Sequence, residues 1–149
     1  MTNTFNRNDG TFAQVDIASL GTTNFPLNSL TKATTADIAM GSTAFFDGPS
    51  VSQGSAGVWY VSGSLTLEDT ATNTQFFVKL WDGTTVIASG ATATSGSSSP
   101  AQISLSGTII SPASNLKLSA ANAFTATGII KFNKSGSSAD SFITAVRIG

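Results

Sequence analysis

Eight carboxylates are the side chains here best suited to acid–base chemistry: Asp9, Asp16, Asp37, Asp47, Glu68, Asp69, Asp82 and Asp140. The chain has no histidine and no cysteine. That removes thiolate and imidazole metal sites, cysteine nucleophiles and Ser–His triads together. What remains is oxygen chemistry, either a carboxylate pair flanking a glycosidic bond or a hard-cation site. A glycosidase needs its two carboxylates about 5–9 Å apart, one with a raised pKa. Glu68 and Asp69 are neighbours at a strand end, so they point apart and read as a turn. Asp82 precedes Gly83, and Asp47 precedes Gly48-Pro49; both pairs are turn signals. With a structural role at hand for these carboxylates, the chain reads as non-enzymatic, with no catalytic or metal site and no cofactor. The string Asn6-Arg7-Asn8-Asp9-Gly10 has the oxygen spacing of a Ca²⁺ loop. It starts with Asn, contains Arg7 and lacks a downstream bidentate Glu, so it reads as a turn.

Stacking on sugars is the other chemistry to weigh. Trp59, Tyr60 and Trp81 offer ring faces, and the Asn/Ser/Thr/Asp-rich stretches 69–75 and 133–141 offer hydrogen bonds. Trp59 and Trp81 fall inside strand-like runs, where an aromatic belongs to a core or an interface. Tyr60 lies on a polar face and is the exposed candidate for contact with a host-surface glycan.

Charge is scarce. Charged residues are 10% of the 149 and the net charge is −1, against about 25% charged in a typical domain. With 21 Thr and 22 Ser, the surface must be covered largely by hydroxyls. No cluster of Lys or Arg exists to displace counterions from phosphates, so nucleic acid is not an expected partner. No apolar run approaches the 18 or so residues of a membrane helix, and no signal-peptide h-region opens the chain. The expectation is a protein made in the cytoplasm, with no membrane partner. The hydrophobic content of 40%, ten Phe included, argues against disorder.

These side chains must be carried by strands. From residue 58 to 68, Trp59, Val61, Leu65 and Leu67 share one face with Gly63, while Tyr60, Ser62, Ser64, Thr66 and Glu68 share the other. This is the period-2 pattern of a half-buried strand. Runs 74–81 and 84–89 flank Asp82-Gly83, a strong signal for a two-residue hairpin, since a type I′ turn needs positive φ at both positions. Residues 90–100 read as a polar loop. Strands follow at 103–109, 116–120, 128–133 and 141–148, with Ser111-Pro112 as a break. Earlier, 12–20 and 44–47 read as strands, and Thr34–Met40 as a single helical turn capped by Thr34 or Thr35. Turn signals every 8–12 residues suggest an all-β antiparallel sandwich or barrel of about eight to ten strands. The 149 residues form one domain, with residues 1–50 a less regular arm or first strands and 51–149 the core.

A two-residue loop at Asp82-Gly83 would oppose Trp81 to Thr84, Leu80 to Thr85, Val78 to Ile87 and Phe77 to Ala88. One face then carries Phe76, Val78, Leu80 and Ile87. The other carries Phe77, Trp81, Val86 and Ala88, with Lys79 as its lone charge. An antiparallel sheet usually keeps one wet face, so the second apolar face is expected to meet another copy of the chain or to lie under residues 1–50. Phe142, Val146 and Ile148 alternate near Gly149 and are expected to join the same interface as Phe77, Trp81 and Val86.

The run Phe77-Val-Lys-Leu-Trp-Asp-Gly-Thr-Thr-Val-Ile-Ala, with Gly57-Val-Trp-Tyr-Val-Ser-Gly-Ser-Leu-Thr-Leu before it and Ile143-Thr-Ala-Val-Arg-Ile-Gly after it, resembles the small trimeric jelly-roll modules of tailed-bacteriophage virions. These are similar in shape to the C1q and tumour necrosis factor fold. The resemblance covers roughly residues 45–149. It implies a jelly roll, a homotrimer and a structural role in the virion. A short N-terminal arm without stalk heptads fits a capsid decoration protein on the capsid surface, with Phe5, Phe12 and Phe25 docking on the major capsid protein. The alternatives are a receptor-binding fibre or spike tip and a monomeric carbohydrate-binding module.

Overall fold

The computed structural model describes residues 28–136 and 140–149, together with the backbone of two short strands, β1 (Asn3–Asn6) and β2 (Phe12–Val15). These two pair with each other, antiparallel, as a separate ribbon with Phe5 opposite Ala13 and Asn6 opposite Phe12. Ten further strands make two sheets. They are β3 (Ser29–Ala33), β4 (Ile38–Met40), β5 (Phe46–Val51), β6 (Val58–Asp69), β7 (Gln75–Trp81), β8 (Val86–Ala93), β9 (Ala101–Ile110), β10 (Leu116–Asn122), β11 (Gly128–Ile130) and β12 (Phe142–Arg147). The all-β antiparallel sandwich is what the turn spacing predicted.

One sheet runs β5-β10-β7-β8. The other is built on β6, twelve residues long, which carries β9 along one edge and two strands in succession along the other. There β12 pairs from Trp59 to Ser64 and β11 from Leu67 to Asp69. Outside these lie β3, against β12, and β4, against β11. The fork between β11 and β12 leaves backbone groups of β6 without a ladder partner, and Ser141 fills it. Its Oγ accepts from the Thr66 N–H at 3.1 Å and donates to the Lys131 carbonyl at 2.8 Å.

The core lies between the inner faces. Trp59, Val61, Leu65 and Leu67 of β6, Ile143 and Ala145 of β12, and Ile130 of β11 meet Phe76, Val78 and Leu80 of β7 and Leu116, Leu118 and Ala120 of β10. Trp59 is core, 1% exposed, with its indole N–H donating to the Ala56 carbonyl at 3.0 Å. Gly63 marks a close approach of β6 to β12 and β10. A Cβ there would stand 2.5 Å from the Phe142 carbonyl and 2.8 Å from Leu118 Cδ1.

Four expectations change. Thr34–Met40 is no helical turn: it ends in β4, which finds ladder partners in β11, and tertiary pairing overrides a weak cap signal. Gly48-Pro49 lies inside β5 rather than at a turn. That strand is an edge, where a missing proline N–H breaks no ladder, and a Cβ at Gly48 would meet the Leu118 carbonyl at 3.2 Å. The expected loop from residue 90 begins only after Ala93. Finally, the hairpin loop holds four residues, 82–85, so Trp81 faces Val86. One Asp82 carboxylate oxygen accepts from the N–H groups of Thr84 (2.9 Å) and Thr85 (2.6 Å), which closes a wider loop than a type I′ turn. A bulge then brings Leu80 opposite Ala88, Val78 opposite Gly90 and Phe77 opposite Ala91.

Candidate interaction surfaces

The carboxylates, the candidates for catalysis, are tied into the fold. All six among the described residues are engaged. Asp37 is ion-paired to Lys131 and accepts from the Phe132 N–H, and Asp47 is paired to Lys117 at 2.6 Å. Asp140 holds the Ser135 N–H and hydroxyl. Glu68 is buried with the Lys134 ammonium 2.5 Å from Oε2. Asp82 adds the Ala113 N–H, at 2.8 Å, to its two loop bonds and so ties the hairpin to the segment before β10.

Asp69 is fully buried and is the centre of a polar cluster. It accepts from the N–H groups of Ala71 and Thr72, the Asn122 amide and the hydroxyls of Thr125 and Thr127. Burial pushes its pKa upward. Hydrogen bonds from Thr125, the Thr72 and Ala71 N–H groups and Asn122 outweigh this and hold it at about 2. Every partner is a donor, so the carboxylate is saturated as an anion and serves as a clasp. Asp9 and Asp16, and most of the Asn6–Gly10 string, lie outside the described residues.

Two outer faces remain, and the six expected interface residues divide between them. Phe142, Val146 and Ile148 share the outer face of the β6 sheet with Tyr60. Ladder register fixes its rows: Val146, Tyr60 and Thr108; Thr31, Thr144, Ser62 and Ser106; Ala33, Phe142, Ser64 and Ser104. Not one of these positions is charged. The Thr31 and Thr144 hydroxyls bond each other across the ladder at 3.0 Å. Tyr60 (43%), Phe142 (38%), Ile110 (73%) and Ile148 (54%) are exposed beside that hydroxyl strip. The face is a ladder of small residues rimmed by large apolar ones.

Phe77, Trp81 and Val86 lie instead on the outer face of the other sheet, with Lys79. Ala88, expected beside them, packs towards the core because the bulge shifts its register. Phe77 is 46% exposed and Val86 52%. Phe45, which precedes β5 and so escapes any alternation argument, joins them at 45%. The Lys79 ammonium lies 3.3 Å from the Trp81 ring centroid and 4.3 Å from that of Phe45. The Trp81 indole N–H donates to Ser119 Oγ, which donates to Asp47. Of the expected docking arm, Phe5 and Phe12 fall in the β1–β2 ribbon, and Phe25 lies outside the described residues.

No family model matches the sequence, and no curated protein matches it significantly. Solved structures do resemble it. Eiger TNF from S. frugiperda superposes with a TM-score of 0.55 at 12% identity, over 83% of this chain and 93% of that one. This chain has a jelly-roll fold of the TNF-like kind. Dimeric latent PorU from Porphyromonas gingivalis gives 0.51 at 10% identity over 80% of this chain, which spans only 12% of PorU. The PRD1 vertex protein P5 aligns at 0.41 with 18% identity, too distant to bear on function. In this jelly roll β3-β12-β6-β9 faces β5-β10-β7-β8, so the two candidate surfaces point in opposite directions. Among the described residues, no helix is long and apolar enough to cross a membrane.

Proposed function

We propose that this jelly roll is a non-enzymatic structural protein of a bacteriophage virion, a homotrimer that decorates the capsid exterior. The observation that carries the reading is the charge-free stretch of the outer face of the β6 sheet, from the Val146–Tyr60–Thr108 row to the Ala33–Phe142–Ser64–Ser104 row; the charges on this face, Glu68 and Lys134, are paired with each other at its far end. A lone soluble domain needs charge on its surface for solubility, and a stretch with none, bordered by Tyr60, Phe142, Ile110 and Ile148, is one that association can bury without stranding an ion. Its hydroxyls are small and already partly paired within the ladder, so little polar desolvation opposes contact. That three copies assemble, and that they sit on a capsid, is supported by the resemblance of residues 45–149 to the trimeric virion modules. If such trimers bind only the assembled shell, mass action makes them stabilise it.

The first test is native mass spectrometry across a dilution series. A species near three times 15.1 kDa that survives dilution is the expected result. A monomer at every concentration overturns the trimer. Immunogold labelling of virions with antibody against this chain then reads the location. Label over the capsid shell supports decoration, and label confined to fibre or spike tips selects the receptor-binding alternative.

A further inference from the structure

The outer face of the β5-β10-β7-β8 sheet carries a second site. Phe45, Phe77 and Val86 wall a groove of about 530 Å³ whose floor is β7 and β8, and Trp81 stands beside it under the Lys79 side chain. Strand β7 is paired on both sides, to β10 and β8. Its backbone N–H and C=O groups are therefore spent, and a peptide can add a strand only at the free edge of β8, beside the groove rather than in it. Recognition must come from side chains, and those present are ring faces, an ammonium group and the Ser89 hydroxyl.

The ammonium decides the class. Of the basic residues on this sheet, Lys117 is neutralised by Asp47 at 2.6 Å. Among the described residues Lys79 forms no ion pair, and Asp47, already held by Lys117, feels its charge only at longer range. Its partners are the π-faces of Trp81 and Phe45, which hold a cation in place and accept no N–H hydrogen bond of ordinary strength. The result is a pre-positioned positive charge with donor capacity left over, set between the Trp81 indole and the exposed Phe45 ring, with the exposed Phe77 ring in the same groove. Sugars stack their apolar C–H faces on such rings, and a carboxylate on the sugar complements the charge. We infer that this groove binds an acidic carbohydrate, a hexose or nonulose ring carrying a carboxylate. The site lies on the sheet opposite the charge-free face, so its occupancy does not depend on trimer formation. In a trimer joined through that face the three grooves would point outward, and binding to a repetitive glycan surface would gain by multivalency.

Tryptophan fluorescence gives a direct readout, since Trp81 borders the groove while Trp59 is buried. The purified chain is titrated with trigalacturonate and with 3′-sialyllactose, each beside its neutral counterpart, the methyl ester and lactose, and with hexaglutamate. Saturable quenching by at least one acidic sugar, ten-fold or more weaker for its neutral counterpart, is expected. Lys79→Gln should erase that preference, and Phe77→Ser should weaken the acidic and neutral sugars alike. Matched near-ultraviolet circular dichroism establishes that each variant is folded, and Val86→Ser replaces Phe77→Ser if that variant is not. No saturable quenching by any acidic sugar overturns the inference. So does an acid preference that survives Lys79→Gln, and so does hexaglutamate binding as tightly as the sugars, which would make the groove a site for acidic peptides.

Discussion

Asp69 shows how much one side chain contributes here. It is buried with every oxygen occupied by donors from three segments, the 70–72 turn, β10 and the 125–127 loop. Its folded pKa of about 2 lies below the unfolded value near 3.9. A lowered pKa means the unfolded chain binds the proton first, so stability is complete above the unfolded value and is lost as pH falls through the folded one. The difference corresponds to about 2 kcal/mol lost between roughly pH 5 and pH 1. Urea unfolding at stepped pH should show that slope, and Asp69→Asn should flatten it while lowering stability at pH 7. Gly63 makes a steric case at the same scale. Gly63→Ala would press a methyl group against the Phe142 carbonyl and Leu118, and a loss of about 1–3 kcal/mol in the same assay is the expected result.

Strand β6 is long enough to serve two partners on one edge, and the joint between them depends on Ser141. Ser141→Ala leaves the buried Thr66 N–H without its acceptor, for an expected cost of about 1–3 kcal/mol by denaturant melts. Residues 132–136 and 140–141 lie over the same stretch, which explains a departure from the alternation. Ser64, Thr66 and Glu68 share the polar face of β6 with Tyr60, yet all three are buried while Tyr60 is exposed. Thr66 Oγ1 donates to the Asp140 carbonyl and Glu68 meets Lys134 beneath that segment. At the hairpin, Asp82→Ala should cost more than an ordinary turn residue would. Three N–H groups, of Thr84, Thr85 and Ala113, lose a common acceptor, and amide exchange should quicken at all three.

At the scale of the whole molecule, two faces with different chemistry point away from each other. One carries a charge-free stretch bordered by large apolar side chains; the other joins exposed aromatics to a cation. Placing a charge in the first should separate their roles. Thr144→Glu sets a carboxylate amid the Thr31–Thr144–Ser62–Ser106 row. Native mass spectrometry should then show the 15.1 kDa chain, with its thermal melt in dilute solution close to that of the parent and groove titrations unchanged.

The sequence by itself determined the class of fold and the strands from β5 onward, because period-2 alternation and turn residues are local properties; β3 and β4, short and held by pairing to β12 and β11, were not legible in it. Trp59, Val61, Leu65 and Leu67 read as core and are core. It also determined which chemistry is absent, since no fold supplies a histidine or cysteine that the chain lacks. Tertiary structure alone decided register and grouping. The Asp82 loop is two residues longer than a two-residue turn, because one carboxylate captured two backbone N–H groups, and the bulge beside it adds a third residue of shift that turns Ala88 inward. Tertiary structure also sent Phe77, Trp81 and Val86 to one side of the molecule and Phe142, Val146 and Ile148 to the other. Alternation fixes which residues share a face of a strand, but which sheet that strand joins is set by pairings a hundred residues apart.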